Sequence, residues 1–165
     1  MAHLKKSIRV IGCGNLWMGD DGVGIRTVEK LVQMKEDGFS LLQDVDLIDA
    51  GVSGLDMLGF LEGIDKIIIV DAIKSGENTG SILKVKGEDL LLGDDVGKMM
   101  SSHDVSVPTV LLIAEKIQKL PEIVVFGVEI DKHCDEVNLT LDMHPAVENA
   151  IDKVISLILL EIENF

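Results

Sequence analysis

Ile8-Arg9-Val10-Ile11-Gly12-Cys13-Gly14-Asn15-Leu16-Trp17-Met18-Gly19-Asp20-Asp21-Gly22-Val23-Gly24 is the stretch whose reading decides the fold. Its first four residues are a short β-rich run stopped by Gly12, as expected of a buried strand. From Gly22 to Met34 the residues Ile25, Val28, Leu31 and Val32 recur at helical spacing, and Asp20 or Asp21 is placed to cap that helix. The order is strand, glycine-rich loop, helix.

The rest of the chain continues the alternation. Val45 to Asp49 reads as a second strand closed by Ala50-Gly51, and Ser53 is placed to cap a helix holding Leu55, Leu58, Phe60 and Leu61. Lys66 to Val70 contains the continuous run Ile67-Ile68-Ile69-Val70, which suits a parallel strand covered on both faces. Gly80 to Lys86 alternates through Ile82, Leu83 and Val85 like an edge strand or hairpin arm. Pro108 fits the first turn of a helix that shows Val110, Ile113, Ala114 and Ile117 on one face. Glu122 to Val128 is another strand. Pro145 opens a long helix with Val147, Ala150, Ile151, Val154, Ile155, Ile158 and Ile162 in register, the strongest periodicity in the chain. The expectation is a single α/β domain over residues 1–165, three-layered, with a mostly parallel twisted sheet and helices on both faces. Ligands of such sheets bind beyond the carboxyl ends of the strands, near the switch in strand order.

Composition narrows the function. A chain of 165 residues fits one domain with one sizeable core, and 47% hydrophobic with 27% charged residues is globular rather than disordered. Aromatics are only 3%, with one Trp and no Tyr, so the core is aliphatic. The formal net charge of −14 argues against nucleic acid and anionic membranes, which need clustered Lys and Arg. Such a surface suits simple solubility, or a partner carrying a metal or a basic patch. Cys13 and Cys134 lie too far apart to suggest a disulfide framework. No apolar run is long enough for a signal peptide or a membrane span, so a cytoplasmic monomer is expected.

Three places carry chemistry. The loop from Gly12 to Gly24 has nucleotide-loop geometry, but Trp17 stands where a dinucleotide fingerprint needs its third glycine. Asp20 and Asp21 would repel a pyrophosphate there and would suit a cation; the plainer alternative is a helix cap. Asp71, after Ile68-Ile69-Val70, is a carboxylate at the end of a buried strand, which needs a cation or strong donors, or else caps the next loop. His103, in Ser101-Ser102-His103-Asp104, is a loop imidazole of the kind that binds nickel or zinc, with Asp104 able to orient it; alone it reads as a solvated residue. Two carboxylates and one histidine from three loops would make an open metal site. His133-Cys134 and His144 are a weaker soft-metal alternative, lacking Cys-x-x-Cys spacing. No G-x-S-x-G occurs, so a serine protease elbow is absent.

These motifs resemble the nickel-iron hydrogenase maturation peptidases. Gly14-Asn15-Leu16-Trp17-Met18-Gly19-Asp20-Asp21-Gly22-Val23-Gly24 is similar to the family's opening signature, followed in order by Asp49-Ala50-Gly51, Val70-Asp71-Ala72, His103-Asp104 and Gly127-Val128-Glu129. The resemblance implies an endopeptidase that removes the C-terminal extension of the large-subunit precursor once nickel is inserted. It implies Asp21, Asp71 and His103 as catalytic and nickel-contacting residues, with Gly14, Asn15 and Gly51 against the substrate. The metal implied is nickel carried by the substrate, for which zinc or cadmium are adventitious substitutes. The chain departs from the family in having Asp21 where some members have Glu, and His144 before Pro145 where members often carry a small hydroxyl residue. The alternative expectation is a non-catalytic nickel-dependent accessory or chaperone subunit of the same fold. A nucleotide- or flavin-binding domain is disfavoured by Trp17 and the acidic loop.

Overall fold

The computed structural model describes residues 6–52, 54–93, 105–131 and 139–165. Five strands form one sheet: β1 (Ile8–Cys13), β2 (Val45–Gly51), β3 (Lys66–Ile73), β4 (Ile82–Lys86) and β5 (Glu122–Glu129), in the order β2-β1-β3-β5-β4. All neighbours are parallel except β4, which runs antiparallel to β5 at one edge. Every residue of β3 is buried, as its uninterrupted aliphatic run demands of a central strand. The edge reading of Gly80 to Lys86 holds, since β4 pairs with β5 alone.

The helices α1 (Val23–Glu36), α2 (Gly87–Leu91), α3 (Val107–Ile117) and α4 (Pro145–Glu163) complete the three layers. One core joins α1 and α4 to Val10, Ile68, Val70, Val124 and Phe126. The other joins α3 and a 3-10 run at Gly54–Leu61 to Ile11, Ile67, Ile69 and Val125. Alternate residues of each strand serve opposite cores, the two-residue period of a covered sheet. All seven apolar residues expected on the face of α4 are buried.

Some local expectations give way to packing. On α1, Ile25, Val28 and Leu31 are buried as expected and Val23 joins them, but Val32 is exposed. The expected helix after residue 53 is the 3-10 run, which buries Met57 and Leu61 and leaves Leu55 exposed; its expected cap, Ser53, lies outside the described residues. Gly54 and Gly59 explain the weak helix, since glycine costs about 1 kcal/mol against alanine in a helix interior. On α3 the buried row is Val107, Val110, Leu111 and Ala114, while Ile113 and Ile117 are exposed. Residues 110–114 are aliphatic on adjacent rows, so periodicity alone does not choose between them. The short α2 has no counterpart in the sequence expectations.

The strand order places the topological switch between β1 and β3. From β1 the chain passes through α1 to β2 on one side, then crosses back to β3 on the other. A crevice is therefore expected at the carboxyl ends of β1 and β3.

Candidate functional site

The loop after β1 is shaped by close backbone approach. β1 pairs with β2 on one side and β3 on the other, with its register shifted between Gly12 and Cys13. Gly24, in the first turn of α1, sits directly on the strand ends: a Cβ there would lie 2.3 Å from the carbonyl oxygens of both Cys13 and Val70. Gly14 adopts φ +132° and leaves no room for a side chain, since a Cβ would lie 1.9 Å from the Asp21 carbonyl oxygen. These two glycines press the loop and the helix start against the carboxyl ends of β1 and β3.

Asp21 lies in a 3-10 turn, Gly19–Gly22, and is 1% exposed. Its Oδ2 accepts a hydrogen bond from the Asn15 backbone N–H at 2.8 Å. The Asn15 side chain accepts in turn from the Trp17 N–H at 3.0 Å, which fixes the loop locally. Gly14 donates its N–H to the Gly51 carbonyl at 2.9 Å, and the Gly51 N–H donates to Asp49 at 2.9 Å. Gly51 adopts φ +53° beside open space. Gly14, Asn15, Gly51 and Asp21 thus form one connected group.

Asp71 is 3% exposed, near the end of β3, and its Oδ1 accepts from the Ala72 N–H at 2.9 Å. Strand alternation turns Asp71 to the same face as Ile69, the face that α3 covers. Cys13 belongs to that face too. Its thiol is pushed well above its ordinary range, first by burial and then by the negative charges of Asp71, Asp21 and Asp49. One buried sulfur therefore feels carboxylates from three separate segments, and the turn that holds Asp21 packs against β3, which holds Asp71. His103 lies outside the described residues, as do Asp104, His133 and Cys134. Among the described residues no three His, Cys, Asp or Glu side chains form a group that could hold a metal ion.

Neither aspartate caps α1: no side-chain bond is made at the start of the 3-10 turn or of α1. Asp20, 6% exposed, instead accepts from the His144 backbone N–H at 2.6 Å. His144 is the N-cap of α4, where its Nδ1 accepts from the Ala146 N–H at 3.1 Å. The imidazole does there what a serine or threonine hydroxyl does in most caps. Glu129, 1% exposed, closes the Gly127-Val128-Glu129 motif, and its carboxylate accepts from the Ser75 N–H at 2.8 Å, the Ser75 hydroxyl at 2.5 Å and the Gly76 N–H at 2.9 Å. It ties down the chain that leaves β3. Neither link has a local sequence signal, because both are contacts between distant segments.

The sequence model of the HycI family, described as hydrogenase maturation protease, matches residues 25–161. The chain belongs to the hydrogenase maturation protease family. It is 37% identical over 162 residues to a protein of Methanocaldococcus jannaschii named as a candidate hydrogenase maturation protease, covering 96% of this chain and 98% of that one. It is 27% identical over 150 residues to the hydrogenase 2 maturation protease of Escherichia coli, covering 90% and 88%. The solved hydrogenase maturating endopeptidase of E. coli superposes with a TM-score of 0.74 over 96% of this chain and 93% of that one; at 22% identity this likeness concerns the fold. As a member of the family the chain is an endopeptidase of hydrogenase maturation. No helix among the described residues is long and apolar enough to cross a membrane.

Proposed function

We propose that this protein removes the C-terminal extension of a nickel-iron hydrogenase large-subunit precursor, and that it reads the inserted nickel through Asp21, Asp71 and His103. The observation that supports this reading is that two buried carboxylates, Asp21 in the turn packed against β3 and Asp71 near the end of β3, lie at the carboxyl ends of β1 and β3. His103, outside the described residues, joins them through the family resemblance alone. Val105, two residues on, lies against Gly54 just beyond the end of β2, and α3 begins at Val107 on the face that Asp71 and Cys13 share.

The nickel is part of the substrate, held in the precursor's own cysteine site with coordination positions still open. Asp21 and Asp71 supply oxygen donors and His103 a nitrogen donor to those positions, a set that suits a borderline divalent ion. Zinc or cadmium would compete for the same donors. Binding through the metal makes cutting conditional on its insertion, because a nickel-free precursor offers nothing for the carboxylates to meet. Docked on the metal, the scissile bond is held in place for attack by water, with its carbonyl polarised nearby. Gly51, with open space beside it, leaves room for an extended substrate segment, Gly14 holds Gly51 through its N–H, and Asn15 keeps the Asp21 carboxylate in position. The reaction takes place in the cytoplasm, on one enzyme monomer.

Mass spectrometry of precursor incubated with the protein tests this directly. Nickel-loaded precursor is expected to lose its C-terminal extension and nickel-free precursor to stay intact. Equal cleavage of both would remove nickel recognition from the mechanism. Unchanged length of both would leave only binding.

A further inference from the structure

Two aspartates stand side by side in the site loop, yet only one faces the Asn15 N–H. The carboxylate of Asp20 is aimed away, at the first residue of the α4 start. It accepts the His144 N–H at 2.6 Å, across 124 residues of chain. This places a buried negative charge at the amino terminus of a 19-residue helix, where the helix dipole favours it. The bond is part of a seam. The Gly19 N–H donates to the Thr140 carbonyl at 2.9 Å and the Thr140 N–H donates to the Trp17 carbonyl at 2.9 Å, forming an isolated bridge between Met18 and Thr140. At Gly19, φ +56°, a Cβ would lie 2.6 Å from the Asp142 carbonyl oxygen, so the two segments meet without a gap.

We infer that Asp20 is a positioning residue: held by the α4 start, its carboxylate sets the place of the 3-10 turn and thereby the place of the Asp21 carboxylate. The inference rests on the proposed role of Asp21 in the site. The turn spans only Gly19–Gly22, so Asp20 and Asp21 share one rigid unit and a shift of the first moves the second. Position, not charge, is what Asp20 contributes. An amide at residue 20 keeps an oxygen for the His144 N–H, whereas a glutamate keeps the charge but carries it one methylene too far.

The test uses the full chain with nickel-loaded precursor, and measures kcat and KM for release of the C-terminal extension by D20N, D20E and D21N. Each variant is first checked for folding by thermal melting; if D20E is unfolded at the assay temperature, D20A replaces it with the same expectation. D20N is expected to stay within about threefold of wild-type kcat. D20E is expected to lose about thirtyfold or more in kcat with KM changed by less than about twofold, the cost of a misplaced group rather than of lost binding. A role confined to stability would lower melting temperatures and leave kcat alone. Wild-type kcat in folded D20E, or a fall in D20N as deep as in D20E, overturns the assignment of Asp20 while an inactive D21N leaves the site reading standing. Full activity in D21N overturns the site reading itself, and the inference with it.

Discussion

The two ends of the sheet bury charge in opposite ways. At the amino end, Lys66 opens β3 and is 3% exposed, yet its ammonium meets Glu122 at 2.7 Å and Glu161 at 2.9 Å. Lys84 reaches Glu161 from β4, and the Phe165 ring lies 4.9 Å from the Lys66 nitrogen. Two ammonium groups face two carboxylates, so the cluster is neutral by itself. At the carboxyl end, Asp20, Asp21, Asp71 and Glu129 are all buried and all acidic. They accept hydrogen bonds from the backbone N–H groups of His144, Asn15, Ala72, Ser75 and Gly76. Backbone N–H groups hold such carboxylates in place. The amino end is arranged for stability. The carboxyl end gathers the carboxylates that the proposed function assigns to a cation-bearing substrate.

The contrast breaks if substitutions at the two ends act alike. The largest effect is expected from Asp71→Asn, which should lower the rate of precursor cleavage by about a hundredfold or more, with the melting temperature nearly unchanged. Loss of stability without loss of rate would make Asp71 a structural residue. Lys66→Ala should do the reverse, costing about 2 kcal/mol through the charged hydrogen bonds it removes and leaving kcat as in wild type; urea unfolding and a cleavage assay on one preparation measure both.

A smaller effect is expected at the α4 start. His144→Ala should cost about 1 kcal/mol, the worth of an N-cap, and His144→Ser should restore most of it. Equal stability of the two variants would show that the imidazole is not the cap.

The smallest effect is a matter of pH. Glu161 is partly desolvated, which raises its carboxyl, but hydrogen bonds from Lys84 and Lys66 outweigh this and hold it below its ordinary value of 4.5. A depressed carboxyl gives stability that is present above 4.5 and lost as pH falls through the folded value. Lys66 runs the other way: burial lowers its ammonium, the pairing with Glu122 and Glu161 more than offsets this, and the net value lies above 10.5. Its contribution is complete below 10.5 and fades as pH rises through the folded value. Melting curves across pH should therefore show Glu161→Gln flattening the acid limb, and an acid limb unchanged in that variant would contradict the pairing.

Much of the fold is legible in the residues. Ile67 to Val70 can hardly be anything but a covered strand, and the α4 face repeats so regularly that all seven of its expected residues are buried. Legibility fails where two answers are locally equal. Leu111, Leu112 and Ile113 offer α3 more than one apolar row, and contact with the sheet makes the choice. Asp20 and Asp21 are both sound caps by local preference, yet neither caps, because α4 and Asn15 offer better donors. The pairing of residue 20 with residue 144 joins segments that no short pattern connects. Asp21, in the glycine-rich loop after β1, and Asp71, near the end of β3, stand where the alternation of strand and helix puts them.

Contact between the site and the substrate's nickel is tested most directly by X-ray absorption at the nickel edge, on precursor frozen with the enzyme before turnover. Wild-type enzyme should add oxygen and nitrogen ligands to the precursor's sulfur-bound nickel, and the Asp21→Asn, Asp71→Asn double variant should add none. A nickel spectrum that stays the same when wild-type enzyme binds would contradict recognition through the metal.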